Sequence, residues 1–173
     1  MTVTERARRI RVLIFDVDGV MTDGRLYYTD SGEEMKAFDV HDGLGIKLLQ
    51  AAGVAAAIIT SRSSQLVELR ARNLGIAHLV QGAEDKAAAF AELIAGCGFD
   101  AEQAGFVGDD LVDLPVLRRC GLAIAVPEAP QILKQQVHYV TRARGGRGAV
   151  REACELVLQA QGALDRVLEP YLR

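Results

Sequence analysis

Apolar residues along this chain follow two patterns that alternate from about residue 54 onward. Short apolar runs, unbroken but for His78 in the third, occur at Val12 to Phe15, Val54 to Ile59, Ile76 to Val80, Ala104 to Val107 and Leu122 to Val126. An unbroken run, rather than every second residue, is the pattern of a strand buried on both faces of a parallel sheet. Between these runs the apolar residues recur at helical spacing. The spacing predicts helices over Leu44 to Ala52, about Ser63 to Asn73, a segment after Asp85 carrying Phe90, Leu93, Ile94 and Cys97, and Ala149 to about Gln161. Asp42 is expected to cap the first of these and Gly53 to close it, while Leu66, Leu69 and Leu74 form the inner side of the second. Pro115 is expected early in a helix, Pro127 halts the fifth strand, and a short helix near Ile132 with a strand at Tyr139-Val140 completes the sheet. Strands alternating with helices predict an α/β fold, a doubly wound and mostly parallel sheet.

Two stretches depart from that alternation. Arg25 to Phe38 holds two short β-compatible runs around Thr29-Asp30-Ser31-Gly32, which predicts a hairpin, either an ordinary edge hairpin or a flap beside a site. Residues 162–173 are too short to fold alone, yet carry Leu164, Val167, Leu168, Tyr171 and Leu172, apolar groups that call for docking. With no internal repeat and no linker, the expectation is one domain over 1–173, with a core at about 11–161.

Composition narrows the function classes. The chain has 173 residues, half apolar and a quarter charged, with net charge −3. Nothing basic enough to recruit nucleic acid stands out, and no apolar run suits a signal peptide or membrane span. Cys97, Cys120 and Cys154 sit in helix-like apolar patterns without CxxC pairing, as core filler does in a reduced protein. Cytoplasm is the expected location.

The chemistry gathers at predicted strand ends. The first run stops in Asp16-Val17-Asp18-Gly19, two carboxylates one residue apart that can project the same way. Open α/β sheets place their ligands at that edge. Paired carboxylates repel unless a cation or proton intervenes, and all-oxygen ligands suggest a hard divalent ion, Mg²⁺ by preference. Thr60 follows the second run, Lys86 starts the helix after the third, and Asp109-Asp110 follows the fourth. Each alone has a bland explanation as a cap or surface charge; the ordered set of four does not.

This ordered set resembles the four motifs of the haloacid dehalogenase-like phosphatases. That resemblance implies an aspartyl-phosphate mechanism, with Asp16 as nucleophile and Asp18 as general acid and base. Thr60 and Lys86 would hold the phosphoryl oxygens, and Mg²⁺ would be bound by Asp16, the main-chain carbonyl of Asp18 and Asp109. Asp110 and Asp113 would orient the metal's surroundings or cap the helix. The stretches after the first and second motifs leave no room for a cap domain, so either the substrate is large or a neighbouring subunit covers the site.

Five segments together resemble a narrower, capless group of that family: Phe15 to Gly24, Lys36 to Leu49, Ile59 to Arg62, Gly108 to Leu117 and Tyr139 to Glu152. The group acts on 3-deoxy-D-manno-octulosonate 8-phosphate, and the resemblance runs from about Arg11 to Gln161. It implies a Mg²⁺-dependent homotetramer in which hairpins and tails cover adjacent sites. It also implies substrate contacts at Asp39, Val40, His41, Asp42, Gly43, Lys47, Arg62 and Arg70, beside Asp18 and Lys86. His41 and Ser61 depart from the group's pattern. Arg144-Gly145-Gly146-Arg147-Gly148 can bind an anion at a helix start or act only as a hinge, and a place for Arg144 and Arg147 at a neighbouring subunit's site mouth is favoured. Three rivals stand beside this reading: a phosphatase for a nine-carbon sugar acid, a catalytically silent tetrameric scaffold, and a receiver-type phospho-acceptor domain.

Overall fold

The sheet is built outward from a fully buried inner strand. In a computed structural model covering residues 1–173, β1 (Val12–Phe15) is buried at every position. It pairs in parallel with β4 (Ala55–Ile59) on one side and β6 (Ala104–Gly108) on the other. β5 (His78–Val80) extends the sheet beyond β4; β7 (Leu122–Ala125) and β8 (Tyr139–Val140) extend it beyond β6. All six strands run parallel, in the order β5-β4-β1-β6-β7-β8. The chain leaves β1 in both directions across the sheet, which makes the carboxyl end of β1 the switch point of the topology.

Register carries the consequence for function. Phe15 lies level with Ile58 on one side and Val107 on the other. Asp16, Thr60 and Asp109, one or two residues further along each strand, therefore emerge at the same edge.

Helices flank the sheet in two groups. α2 (Val40–Ala51) and α7 (Ala149–Ala160) pack against each other, with α1 (Val3–Arg8) against α7. α4 (Lys86–Cys97) packs with α5 (Leu114–Leu117), away from the first group. One cluster of 46 buried apolar residues runs through all these layers. Cys120 and Cys154 lie inside it, and burial raises both thiols, Cys120 to about 12. No helix is long and apolar enough to cross a membrane.

Several local expectations need correcting. α3 (Gln65–Leu74) buries Val67, Ala71 and Leu74, spaced at i, i+4 and i+7, while Leu69 is 51% exposed. The stripe is rotated from the one drawn through the leucines, because Val67 and Ala71 supply the inner face. Asp39, not Asp42, caps α2, accepting from the N–H groups of His41 at 2.7 Å and Asp42 at 3.2 Å. α1 was not expected; Thr2 and Glu5 form a reciprocal capping box at its start, and Ala7 is fully buried. The tail forms α8 (Leu164–Leu168), which docks Val167, while Tyr171 and Leu172 remain exposed.

The expected hairpin is present: β2 (Tyr27–Tyr28) and β3 (Glu34–Met35) pair antiparallel, with Tyr28 opposite Glu34. It stands clear of the main sheet as a flap after β1, and no cap domain interrupts the chain.

Candidate active site

Beyond Phe15 the backbone leaves the sheet in a wide turn over Val17–Met21, closed by Thr22 N–H donating to the Val17 carbonyl at 3.1 Å. The buried Thr22 hydroxyl oxygen accepts from the N–H groups of Gly19 at 3.3 Å and Gly24 at 3.2 Å, tying both ends of the loop together. Gly19 has φ +93°, and a Cβ there would overlap the Asp109 carboxylate. Glycine is thus required twice at this position, for the backbone angle and for the approach of Asp109.

Behind the loop lies a buried charge network. Lys86, the first residue of α4, reaches Asp16 Oδ1 at 2.9 Å and Asp113 Oδ1 at 2.7 Å. Asp113 is fully buried, and its Oδ2 accepts from the N–H groups of Asp109 at 2.9 Å and Asp110 at 3.4 Å. With both oxygens engaged, Asp113 orients Lys86 and the loop after β6. The carboxylates of Asp16, Asp109 and Asp113 have oxygens within 4.8 Å of one another.

Electrostatics follow from that crowding. Burial raises the Asp16 carboxyl to about 6, the charge on Asp113 adding to it and Lys86 opposing. Asp109 rises further, to about 8, from burial and the charges of Asp16 and Asp113. Burial would lower the Lys86 ammonium, but Asp16 and Asp113 outweigh it and its pKa is raised. Three acids facing one ammonium leave a deficit of positive charge, and the donors are all oxygen. A hard divalent cation fits that donor set.

A cleft of about 280 Å³ opens over this network, lined by Asp16, Asp18, Thr60, Arg62, Lys86 and Asp109 among others. Ser61 also lines it, and no non-glycine residue in the chain has positive φ, so its Cβ fits the local backbone. The flap closes one side. Lys36, just past β3, donates to Asp18 Oδ1 at 2.6 Å and lies 3.3 Å from Glu34 Oε1. Arg62 Nη2 donates to Glu34 Oε1 at 2.8 Å and to the Tyr28 hydroxyl at 3.1 Å. The sequence pattern predicts the flap but assigns no site role to Lys36, Glu34 or Tyr28. Only the cross-strand register says which flap residues turn inward, and two-residue strands carry no alternation from which to read it.

The remaining sequence-predicted residues lie elsewhere. Asp39, Val40, His41, Asp42, Gly43, Lys47 and Arg70 do not line this cleft. Val40 and Lys47 are exposed on α2, and the exposed His41 imidazole sits 3.3 Å from Asp39. Arg70 Nη2 donates to the Asp39 carbonyl at 2.9 Å, with its guanidinium 5.5 Å from the centre of the Phe38 ring. Asp42 is buried and accepts from Arg151 N–H at 2.9 Å and Gly148 N–H at 3.4 Å, capping α7 from a neighbouring helix. Burial raises its carboxyl to about 6.

Arg144 and Arg147 border a second cleft of about 310 Å³, which shares Gly24 and Asp109 with the first. Arg144 Nε pairs with Glu128 at 2.9 Å, and Arg147 is exposed. The glycines between them buttress the Asp16 loop. Gly146 N–H donates to the Val20 carbonyl at 2.9 Å, and a Cβ on Gly145 or Gly146 would overlap backbone atoms of Gly19, Thr22 or Asp23.

Known proteins share this arrangement. A model of the haloacid dehalogenase-like hydrolases matches residues 39–121. The 3-deoxy-D-manno-octulosonate 8-phosphate phosphatase KdsC of Yersinia pestis is 52% identical over 94% of this chain and 87% of its own length, and its Escherichia coli K12 counterpart is 49% identical over the same shares. Among solved structures, a probable YrbI family phosphatase from Pseudomonas syringae superimposes with a TM-score of 0.97 at 49% identity, covering 99% of this chain and 97% of its own. The Moraxella catarrhalis phosphatase in complex with magnesium, phosphate and KDO superimposes at 0.96 with 41% identity, covering 98% and 97%.

Proposed function

The chain belongs to the 3-deoxy-D-manno-octulosonate 8-phosphate phosphatases of the haloacid dehalogenase-like hydrolases, and from that premise we propose how its residues carry out the hydrolysis. It is a phosphoric monoester hydrolase that releases phosphate from the eight-carbon sugar acid 8-phosphate, a step toward lipopolysaccharide precursors. The reading rests most heavily on one observation: Asp16, Asp109 and Lys86 meet at one sheet edge, beneath a cleft that Asp18 and Thr60 also line.

A carboxylate oxygen of Asp16 attacks phosphorus in line. The bond from phosphorus to the sugar oxygen breaks, its electron pair stays on that oxygen, and Asp18 supplies the proton that neutralises it. Water then attacks the aspartyl-phosphate while Asp18 takes a proton back, releasing phosphate and restoring Asp16. Lys86 keeps Asp16 ionised and, with Thr60, holds the phosphoryl oxygens. Asp16, the Asp18 carbonyl and Asp109 hold Mg²⁺, which when bound offsets the charge of the carboxylates and of the transferring group. Arg62 offers a planar fork to the substrate's anionic groups.

The homotetramer belongs to the same proposal. Leu26, Tyr28 and Met35 on the flap, and Val40 at the start of α2, are exposed, which supports apolar contact with a further copy. Asp39 to Gly43, Lys47, Arg70, Arg144 and Arg147 would then complete the sugar end of a site in the assembly. Three cysteines free of disulfides support a reducing compartment, the cytoplasm.

The test is phosphate release from a panel of sugar-acid phosphates with Mg²⁺, alongside sedimentation of the same sample. The expected result is preference for the eight-carbon acid 8-phosphate, lost on chelation, from a tetramer. Preference for a nine-carbon acid would overturn the substrate, and hydrolysis by monomers would overturn the shared site.

A further inference from the structure

The contact between Lys36 and Asp18 has no role in the mechanism above. Lys36 lies on the flap, eighteen residues from Asp18, yet its side chain is only 2% exposed and its ammonium is 2.6 Å from Asp18 Oδ1. Burying a lysine is costly unless it is paired, and here two carboxylates pair it, Asp18 and Glu34. Glu34 in turn accepts from Arg62, whose Nε lies 3.7 Å from Asp18 Oδ2. One oxygen of Asp18 is thus fixed by a short charge-assisted bond. The other faces only a distant guanidinium nitrogen and stays available for proton traffic.

We propose that Lys36 is a positioning residue for the acid–base step. Carried in by the flap, it fixes the Asp18 carboxyl through one oxygen so that the other can serve the leaving oxygen of the sugar. The docked flap and the orientation of Asp18 thus depend on one contact. Glu34 completes the device by holding Lys36 and Arg62 in register, which ties the flap to the loop after β4. Lys36 pairs with the carboxylates of Asp18 and Glu34, not with those of Asp16 or Asp109. Its whole effect passes through Asp18, and this inference rests on the acid–base role proposed above for that residue.

A role in protonation separates cleanly from a role in folding. A sugar alkoxide needs a proton to leave, whereas nitrophenolate does not. Lys36→Met keeps the stem and removes the charge, and Lys36→Arg keeps the charge. The experiment measures, by rapid quench, the single-turnover rate of leaving-group release, the step before Asp18 acts as base, for the sugar acid phosphate and for p-nitrophenyl phosphate, with the wild type, both variants and Asp16→Asn. Lys36→Met is expected to slow sugar release by about 30-fold, less than the ~10²–10⁴ that a whole positioned acid supplies, with the half-saturating substrate concentration changed less than about threefold. On p-nitrophenyl phosphate the release of nitrophenolate should slow less than about threefold, and Lys36→Arg should restore most of the sugar-phosphate loss.

Equal losses on both substrates, or no loss on either, would overturn the proposal. The flap lies outside the apolar core, so the variants are expected to fold; thermal melting checks this, and Lys36→Gln replaces Lys36→Met if melting shows otherwise. Asp16→Asn should lose both activities. A wild type inactive on the sugar acid phosphate would overturn the substrate reading instead, and the comparison is then made with an alkyl phosphate that the wild type does accept.

Discussion

The two ends of the cleft are built differently. The phosphate end is made of residues that the sheet register forces together: Asp16, Thr60 and Asp109 at the ends of adjacent strands, with Lys86 and Asp113 sealed behind them. The flap end is made of Tyr28 and Glu34 on two strands of two residues each, Lys36 just past them and Arg62 from the loop after β4, joined by side-chain contacts. The phosphate-handling groups sit on strand ends fixed by backbone pairing, whereas the flap groups depend on a few side-chain contacts for their place. The same division sets what a mutation costs. Damage at the phosphate end should register in stability and turnover together, damage at the flap end in turnover or affinity alone.

The most disruptive test of that contrast is Lys86→Met. It strands Asp16 and Asp113 as buried carboxylates without their cation, at a cost of about 3–5 kcal/mol. Urea unfolding should show that loss together with abolished turnover; retained stability would mean that the network is not what fixes this end. Next comes Gly146→Ala, where φ is +66° and a Cβ would overlap the Thr22 and Asp23 backbone. It should destabilise by roughly 1–3 kcal/mol and lower kcat by displacing the Asp16 loop, read by melting and steady-state kinetics.

Proton and metal competition gives a third, smaller effect. Without metal, Asp16 at about 6 and Asp109 at about 8 both titrate above the ordinary carboxylate value. The folded state therefore binds more protons than the unfolded one. That stabilisation is complete below the unfolded pKa of about 3.9, and it is lost as pH rises through the folded values. Mg²⁺ displaces those protons, so the rise in Tm that it causes should grow from about pH 5 to about pH 8. A shift independent of pH would contradict the assigned ligand set. The smallest change in stability is expected from Lys47→Ala on the exposed face of α2, within about 0.5 kcal/mol. If Lys47 serves the sugar end in the assembly, KM should rise with kcat nearly unchanged.

Legibility followed the same division. Val12 to Phe15 and Ala104 to Val107 are continuous apolar runs, so the strands, their parallel arrangement and the carboxylates beyond them could all be read from residues alone. α3 was read through its leucines because Leu66, Leu69 and Leu74 dominate the composition; the buried stripe instead runs through the smaller Val67 and Ala71. Asp42 looked like a cap for α2 because it precedes an apolar run. In the fold it caps α7, more than a hundred residues away, a pairing that no local signal carries. Lys36 was silent for a related reason. Its partner Asp18 lies eighteen residues back in the loop after β1, brought near by tertiary contact and not by sequence pattern.

The central claim is that Asp16 takes the phosphoryl group. Acid-quenching the enzyme during turnover of the sugar acid phosphate, followed by peptide mass analysis, tests it directly. The expected result is a hydroxylamine-labile gain of one phosphoryl group on the peptide containing Asp16, absent from Asp16→Asn. A burst of free phosphate with no phosphorylated peptide, or with the label on another residue, would contradict it.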